Sequence, residues 1–332
     1  MKHILLYIIT FLTAMLWLAA CNQKKEDRQE ESSATETAGP AFSADSAYVF
    51  CEQQCQFGPR VMNTEAHEQC KQWIADRFRQ YGCDVVLQSA VVNGYDGTPL
   101  KATNIIARTP LATRQGGGIL ICAHWDSRPW ADNDPDSANW RKPVMAANDG
   151  ASGVGVMLEL ARLISRDDSL AVPVTFVCFD AEDWGTPQWE EEHEGDTWAL
   201  GAQYWATHLS DAEHYRYGIL LDMVGGQSAT FYQESFSKHY AQSVLDRVWA
   251  AARVVGYGSY FINDEGGGVT DDHVYVNRVG NIPCIDIVPH HPACEQSSFG
   301  PTWHTVNDDM QHLDKNTLLA VGQTLIQVLY SE

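Results

Sequence analysis

The chain has 332 residues, with 22 Lys and Arg against 43 Asp and Glu, for a formal net charge of −21. That balance excludes nucleic acid and anionic membrane surfaces as electrostatic partners. Hydrophobic residues make up 45% and there are 11 Trp, enough for one large folded unit with a sizeable core.

Lys2 and His3 open a short basic start, and Ile4 to Leu18 is an almost unbroken apolar run, too short to span a membrane comfortably. Residues 1–20 therefore read as an export signal. The run ends in Leu18-Ala19-Ala20-Cys21, which resembles the lipobox of bacterial lipoproteins, where the cysteine is acylated and becomes the mature N-terminus. A plain cleavage site with a chance cysteine is the alternative. The polar stretch directly after Cys21 favours the anchor and predicts a protein exported and lipid-anchored to a bacterial membrane, facing the periplasm. Residues 21–41 are charged and almost free of apolar side chains, and read as a flexible tether. Residues 42–332 contain no second linker and no internal repeat, and read as one domain.

Within that domain, 43–57 and 65–80 read as amphipathic helices; in the second, Ala66, Cys70, Trp73, Ile74 and Phe78 recur at helical spacing. Strands are expected over 84–92 and 103–108. The run GILICAH at 118–124 is continuously apolar, as in a strand buried on both faces. A helix over 150–165 follows, then a buried strand at 172–180, a helix at 198–209, a strand at 217–223, a helix at 236–255, a strand at 282–288 and a helix at 313–330. This alternation predicts an α/β three-layer sandwich, with a mostly parallel central sheet flanked by helices. Besides Cys21 there are eight cysteines and no CxxC pair, so a cysteine zinc site is not expected. Cys122, Cys178 and Cys284 read as small buried hydrophobes. The pairing of the others is left open.

Ligands in such folds bind at the carboxyl ends of the strands. His124 and Asp126 end one apolar strand, Glu182 and Asp183 the next, and Asp222 a third; Asp286 is near the end of a fourth, and Asp149 starts a helix. Adjacent carboxylates after a buried strand are costly unless a cation neutralises them. Taken singly, Asp149 is as well explained as a helix N-cap, Glu182-Asp183 as a solvated strand end and His304 as a loop histidine. Together they offer ligands for a catalytic zinc with a spare carboxylate beside it.

The motifs HWDSRP at 124–129, NDGASGVGVMLELAR at 148–162, FDAED at 179–183, LLDMVG at 220–225, DDH at 271–273 and WHT at 303–305 are similar, in order and spacing, to the zinc aminopeptidase and glutaminyl cyclase superfamily. The resemblance implies a zinc-aminopeptidase-like fold and three zinc ligands, Asp149, Asp183 and His304, with Glu182 as general acid/base. Two-zinc aminopeptidases hold a second ion through counterparts of His124, Asp149 and Asp222, so the ligand inventory alone leaves a peptidase open. The cyclase branch instead carries an aspartate first in DDH, here Asp271, and a tryptophan before the last ligand, here Trp303. It uses one zinc, with the counterpart of Asp222 in a hydrogen-bond network. Asp183 stands where animal cyclases have Glu, and Asp286 where they have His; Bacteroidetes-type cyclases are closest.

The implied activity is cyclisation of N-terminal glutamine on peptides and proteins to pyroglutamate with release of ammonia. Zinc would polarise the side-chain carbonyl, Glu182 would shuttle the proton and Asp271 would bind the leaving amide. Trp303 would wall the pocket. The insert 185–197 is expected near the mouth, with Trp189 touching substrate and Glu190-Glu191-Glu192 as a solvated loop. A monomer is expected. The rivals are a two-zinc aminopeptidase and a zinc-free peptide-binding lipoprotein, the latter disfavoured because a binding module needs no spare Glu beside a metal.

Overall fold

A computed structural model of the chain describes residues 37–110, 117–165, 167, 169–190, 196–210 and 213–332. The expected export signal, Cys21 and most of the expected tether lie outside the described residues, as does the Glu191-Glu192 part of the acidic run. The tether does not extend to residue 41: the Ala38 amide donates to Gln327 at 2.7 Å and Phe42 is buried against Gly322. Gly39 lies against Tyr330 and Ile326 as well, so this end is docked on the helix Lys315–Tyr330 where composition alone suggested free chain.

The elements are α1 (Ala44–Cys55), α2 (Glu65–Gln80), β1 (Asp84–Asn93), β2 (Pro99–Arg108), β3 (Gly118–His124), α3 (Ala151–Ile164), β4 (Val174–Phe179), α4 (Leu200–Thr207), β5 (Tyr215–Leu221), β6 (Phe231–Gln233), α5 (Ser235–Val254), β7 (Phe261–Glu265), α6 (Asp272–Arg278), β8 (Cys284–Ile287) and α7 (Lys315–Tyr330). Ser43, Thr64 and Asp314 cap α1, α2 and α7, each side chain accepting from a backbone amide of the first turn. These caps set the helix starts that periodicity alone leaves loose. Three elements were not expected: β6 and β7, which pair as a small parallel ribbon, and α6. All three are too short to show a period.

The main sheet has the order β1-β2-β4-β3-β5-β8. β4, β3, β5 and β8 run parallel to one another, whereas β1 and β2 form an antiparallel hairpin on one edge, with β2 also antiparallel to β4. Alternate residues of one strand feed two cores. Ile119, Ile121 and Ala123 of β3 face the layer of α1, α2, α3, α5 and α7; Leu120 and Cys122 face Ala202 and Trp205 of α4 and Val276 of α6. That is the three-layer sandwich the alternation of elements predicted. The helix after β3 covers one face and the helix after β4 the other, so the two loops part at the carboxyl ends and leave a crevice.

The start of α3 is driven into this crevice by two glycines. Gly150 has φ 104°, and a Cβ there would stand 2.9 Å from the Asp126 carbonyl oxygen. A Cβ on Gly153 would stand 2.3 Å from the Leu221 carbonyl oxygen and 2.7 Å from the Ala123 Cβ. The eight described cysteines form no disulfide, and Cys122, Cys178 and Cys284 are buried in the strands as expected.

Candidate active site

The backbone at the strand ends is pinned by buried carboxylates. Asp308 accepts from the amides of Asn148 at 2.8 Å and Asp149 at 2.9 Å. Asp126 accepts from Glu182 at 3.1 Å and Asp183 at 3.2 Å. Asp180 accepts from Thr103 at 2.6 Å and meets His67 Nε2 at 2.9 Å, with Trp125 stacked on the His67 ring. Ala146, Ala181, Met223 and His304 all have φ between 51° and 58°, and each is a site residue or within three positions of one. Left-handed backbone at non-glycine residues costs on the order of 1–3 kcal/mol each and is retained where surrounding structure forces it.

The result is a compact, buried constellation. One ligand atom from each of Asp149, Asp183 and His304 lies within 4.8 Å of the others. His304 Nε2 is 3.2 Å from Asp183 Oδ1 and 3.5 Å from Asp149 Oδ2. Asp183 Oδ2 is buried and receives no hydrogen bond. Two carboxylates and an imidazole nitrogen, one oxygen of them bare, suit a zinc ion. His124, Asp149 and Asp222 form a second such group, sharing Asp149: His124 Nε2 stands 2.9 Å from Asp149 Oδ1 and 3.2 Å from Asp222 Oδ1.

Burial pushes the carboxyls of Asp183 and Glu182 upward, and for Glu182 the charges of Asp183, Asp271 and Asp272 add to it against the pull of His124. Burial also lifts Asp222 to about 7. Burial works against the charge on His304, yet Asp183 and Asp132 outweigh it and raise the imidazole to about 9. Burial opposes ionisation of Asp149 too, but His124 and His304 hold it below the usual carboxylate range.

Asp271 caps α6: its Oδ1 accepts from the Asp272 amide at 2.5 Å, while its buried Oδ2 has no donor. Capping thus occupies only one of its oxygens. Asp286 stands beside it on β8 with neither oxygen hydrogen-bonded. Trp303 stacks on the His304 ring at 3.8 Å between centroids. Trp189 is set further out, 6.0 Å from Trp130 and 6.3 Å from Trp140, in an aromatic cluster that also holds Trp184 and Tyr95. The first part of the insert comes back to the site, where the Gln188 amide donates to Asp132 Oδ2 at 3.0 Å.

Several residues of the site were not singled out from the sequence. Arg128 is 1% exposed; its Nε and Nη2 donate to the two oxygens of Asp132 at 2.9 and 2.7 Å, and its Nη1 to the carbonyls of Asp183 and Gly185, both at 3.1 Å. Asp132 Oδ1 in turn stands 3.5 Å from His304 Nδ1, so Arg128 and Asp132 back the histidine. Arg128 lay within the HWDSRP motif, the one available signal. Asp132 and Asp308 sit in polar stretches where nothing marks one aspartate from the next.

The model of "Peptidase family M28" matches residues 104–329. Among solved structures, the glutaminyl cyclase of Tannerella forsythia is 48% identical, with a TM-score of 0.85, over 88% of this chain and 100% of that one. The glutaminyl cyclase of Bacteroides thetaiotaomicron, solved bound to N-acetylhistamine, is 45% identical, with a TM-score of 0.85, over 89% of this chain and 99% of its own. Among curated proteins, the aminopeptidase YwaD of Bacillus subtilis is 27% identical over 243 residues, which are 70% of this chain and 45% of that protein's length. The chain belongs to peptidase family M28 and, within it, to the group of the bacterial glutaminyl cyclases.

Proposed function

We infer that the protein is a zinc-dependent glutaminyl-peptide cyclotransferase, which closes the N-terminal glutamine of peptides and proteins to pyroglutamate and releases ammonia. The observation that carries this reading is the bare, buried Oδ2 of Asp271 in the carboxylate cluster that runs to Glu182 and the Asp149–Asp183–His304 group. A peptidase acting through a metal-bound water has no use for that acid. Cyclisation does, because its leaving group is a primary amide nitrogen that needs an acceptor.

Asp149, Asp183 and His304 would hold one zinc per chain, which supplies a Lewis acid for the side-chain carbonyl of the substrate. Glu182, its affinity for protons raised by burial, takes a proton from the α-amine as the amine nitrogen bonds to the side-chain carbonyl carbon. It returns that proton to the amide nitrogen as the carbon–nitrogen bond breaks, so ammonia leaves and the carboxylate is regenerated. Asp271 Oδ2 accepts a hydrogen bond from the departing nitrogen, and Asp222 supports the cluster from the His124 side. Trp303, stacked on His304, walls the pocket against water, and Trp189 lines its outer approach. Both reacting groups sit on one substrate, so holding a bent conformer supplies much of the rate.

The test uses purified protein with Gln-Ala and Leu-initiated substrates, together with a metal count. Ammonia release from Gln-Ala alone, with one zinc per chain, is expected. Turnover of the Leu substrate with two essential metals, the second on His124, Asp149 and Asp222, would overturn the reading in favour of an aminopeptidase. Asp271→Asn keeps the cap and is expected to retain zinc but lose most conversion; near wild-type ammonia release would discard the role of Asp271. We also propose that the chain is exported and acylated on Cys21, from the LAAC sequence that ends the apolar run. Cys21→Ser should then release active protein from membranes, and an unlipidated soluble wild type would refute the anchor. A monomer in solution is the accompanying proposal.

A further inference from the structure

His273 and Glu234 lie behind the carboxylate cluster, and the mechanism above makes no use of them. Both are buried, at 0% and 2% exposure. His273 Nε2 is 3.1 Å from Glu234 Oε2. Its other nitrogen, Nδ1, has no hydrogen-bond partner and points to Asp286, 3.8 Å from Oδ2. Asp286 carries two bare oxygens, and one atom from each of Asp271, His273 and Asp286 lies within 4.8 Å of the others.

Glu234 is an unusually well-held anchor. It caps α5, accepting from the Phe236 amide at 2.8 Å and from the Ser237 amide and hydroxyl at 2.6 and 2.8 Å. It also accepts from the Val269 amide at 3.0 Å, two residues ahead of Asp271. Ser237 Oγ accepts from the Asp286 amide at 2.9 Å. One carboxylate therefore fixes the chain entering Asp271, the backbone of Asp286 and the imidazole that faces the Asp286 carboxyl. A carboxylate–histidine pair behind a reacting group fixes ring orientation and tautomer.

We propose that Glu234 and His273 are positioning residues for the reaction, holding Asp286 and, through it, the free oxygen of Asp271 in place. The proposal rests on the cyclase reading, so the wild type must first turn over Gln-Ala; failure there sinks that reading and not this one. His273→Asn keeps a polar atom near Nδ1 but drops the link to Glu234. Its kcat on Gln-Ala is expected to fall about 10-fold or more, the low end for residues that orient active groups, with KM and zinc content within twofold of wild type. Because His273 acts through Asp286, the double variant His273→Asn/Asp286→Asn should be no slower than Asp286→Asn alone. Multiplying penalties, a rise in KM at unchanged kcat, or full activity of His273→Asn would each overturn the proposal. If His273→Asn does not fold, Ser237→Ala decides. It removes one hydroxyl and no charge, and must lower kcat without adding to Asp286→Asn; unchanged kcat or an additive loss overturns the proposal.

Discussion

Arg128→Ala is the perturbation with the most calculable outcome. The guanidinium is 1% exposed, satisfies both oxygens of Asp132 and two carbonyls, and lies 4.6 Å from the Trp198 ring centroid. Alanine leaves the equally buried Asp132 carboxylate without its cation. Breaking a buried pair from one side costs about 3–5 kcal/mol, a large share of the roughly 5–15 kcal/mol that holds a domain together. At about 2–4 °C per kcal/mol for a chain of this size, the melting temperature should fall by about 10 °C. Asp132 also backs His304, so zinc affinity should drop roughly 10–100-fold. Thermal unfolding by circular dichroism and zinc titration measure the two effects, and Arg128→Lys, reaching only some of the acceptors, should fall between. Burial raises the Asp132 carboxyl, but His304 and Arg128 outweigh it and hold it well below its ordinary 3.8. A depressed carboxyl stabilises above its unfolded pKa and stops doing so as pH falls through the folded one. The wild type should therefore lose this contribution only as pH falls below about 3.8. In the variant burial acts on Asp132 without Arg128 to oppose it, so its carboxyl is protonated at a higher pH than in the wild type, and the gap narrows as pH falls through that point. A melting shift under 2 °C with unchanged zinc affinity would refute this account of the Arg128–Asp132–His304 chain.

In metal-free protein His304, raised to about 9, is a cation at neutral pH, and zinc must displace its proton. Calorimetry in buffers of differing ionisation heat should find close to one proton released from this group at pH 7 and affinity rising with pH up to about 9; no release at pH 7 would contradict the assignment. The same raised imidazole stabilises the metal-free fold below its ordinary 6.5, and that contribution fades as pH rises to about 9. Glu182→Gln should keep zinc and lose about 10²–10⁴-fold in kcat, whereas Asp183→Ala should lose the metal; retained turnover in the first, or retained zinc in the second, counts against the roles given them. Gly153→Ala places a Cβ 2.3 Å from the Leu221 carbonyl oxygen, so α3 must lift from β5. Overpacking of this kind costs about 1–3 kcal/mol, and an unchanged melting temperature would show that the contact can relax.

The layered architecture was legible in the sequence because buried parallel strands are continuously apolar and long helices repeat at 3.6 residues, both local patterns. GILICAH at 118–124 became β3 with its bounds unchanged, and the strand expected over 172–180 became β4 over Val174–Phe179. Glu182, Asp183 and Asp222 stood out because they follow apolar runs and Asp149 because it starts a helix, while the choice of Asp149, Asp183 and His304 as ligands came from the resemblance. What tertiary structure alone decided is how residues far apart in sequence share a proton or a hydrogen bond. Arg128, Asp132 and His304 form one chain across 176 positions, and Asp308 pins the amide of Asp149 from 159 positions away. His273 reads as the third letter of a motif until α6, too short to show a period, turns it between Glu234 and Asp286. Local pattern reports which face of an element is buried. Which polar atom each buried carboxylate meets depends on strand order and loop crossing, and these arise only when β3, β4, β5 and β8 close side by side.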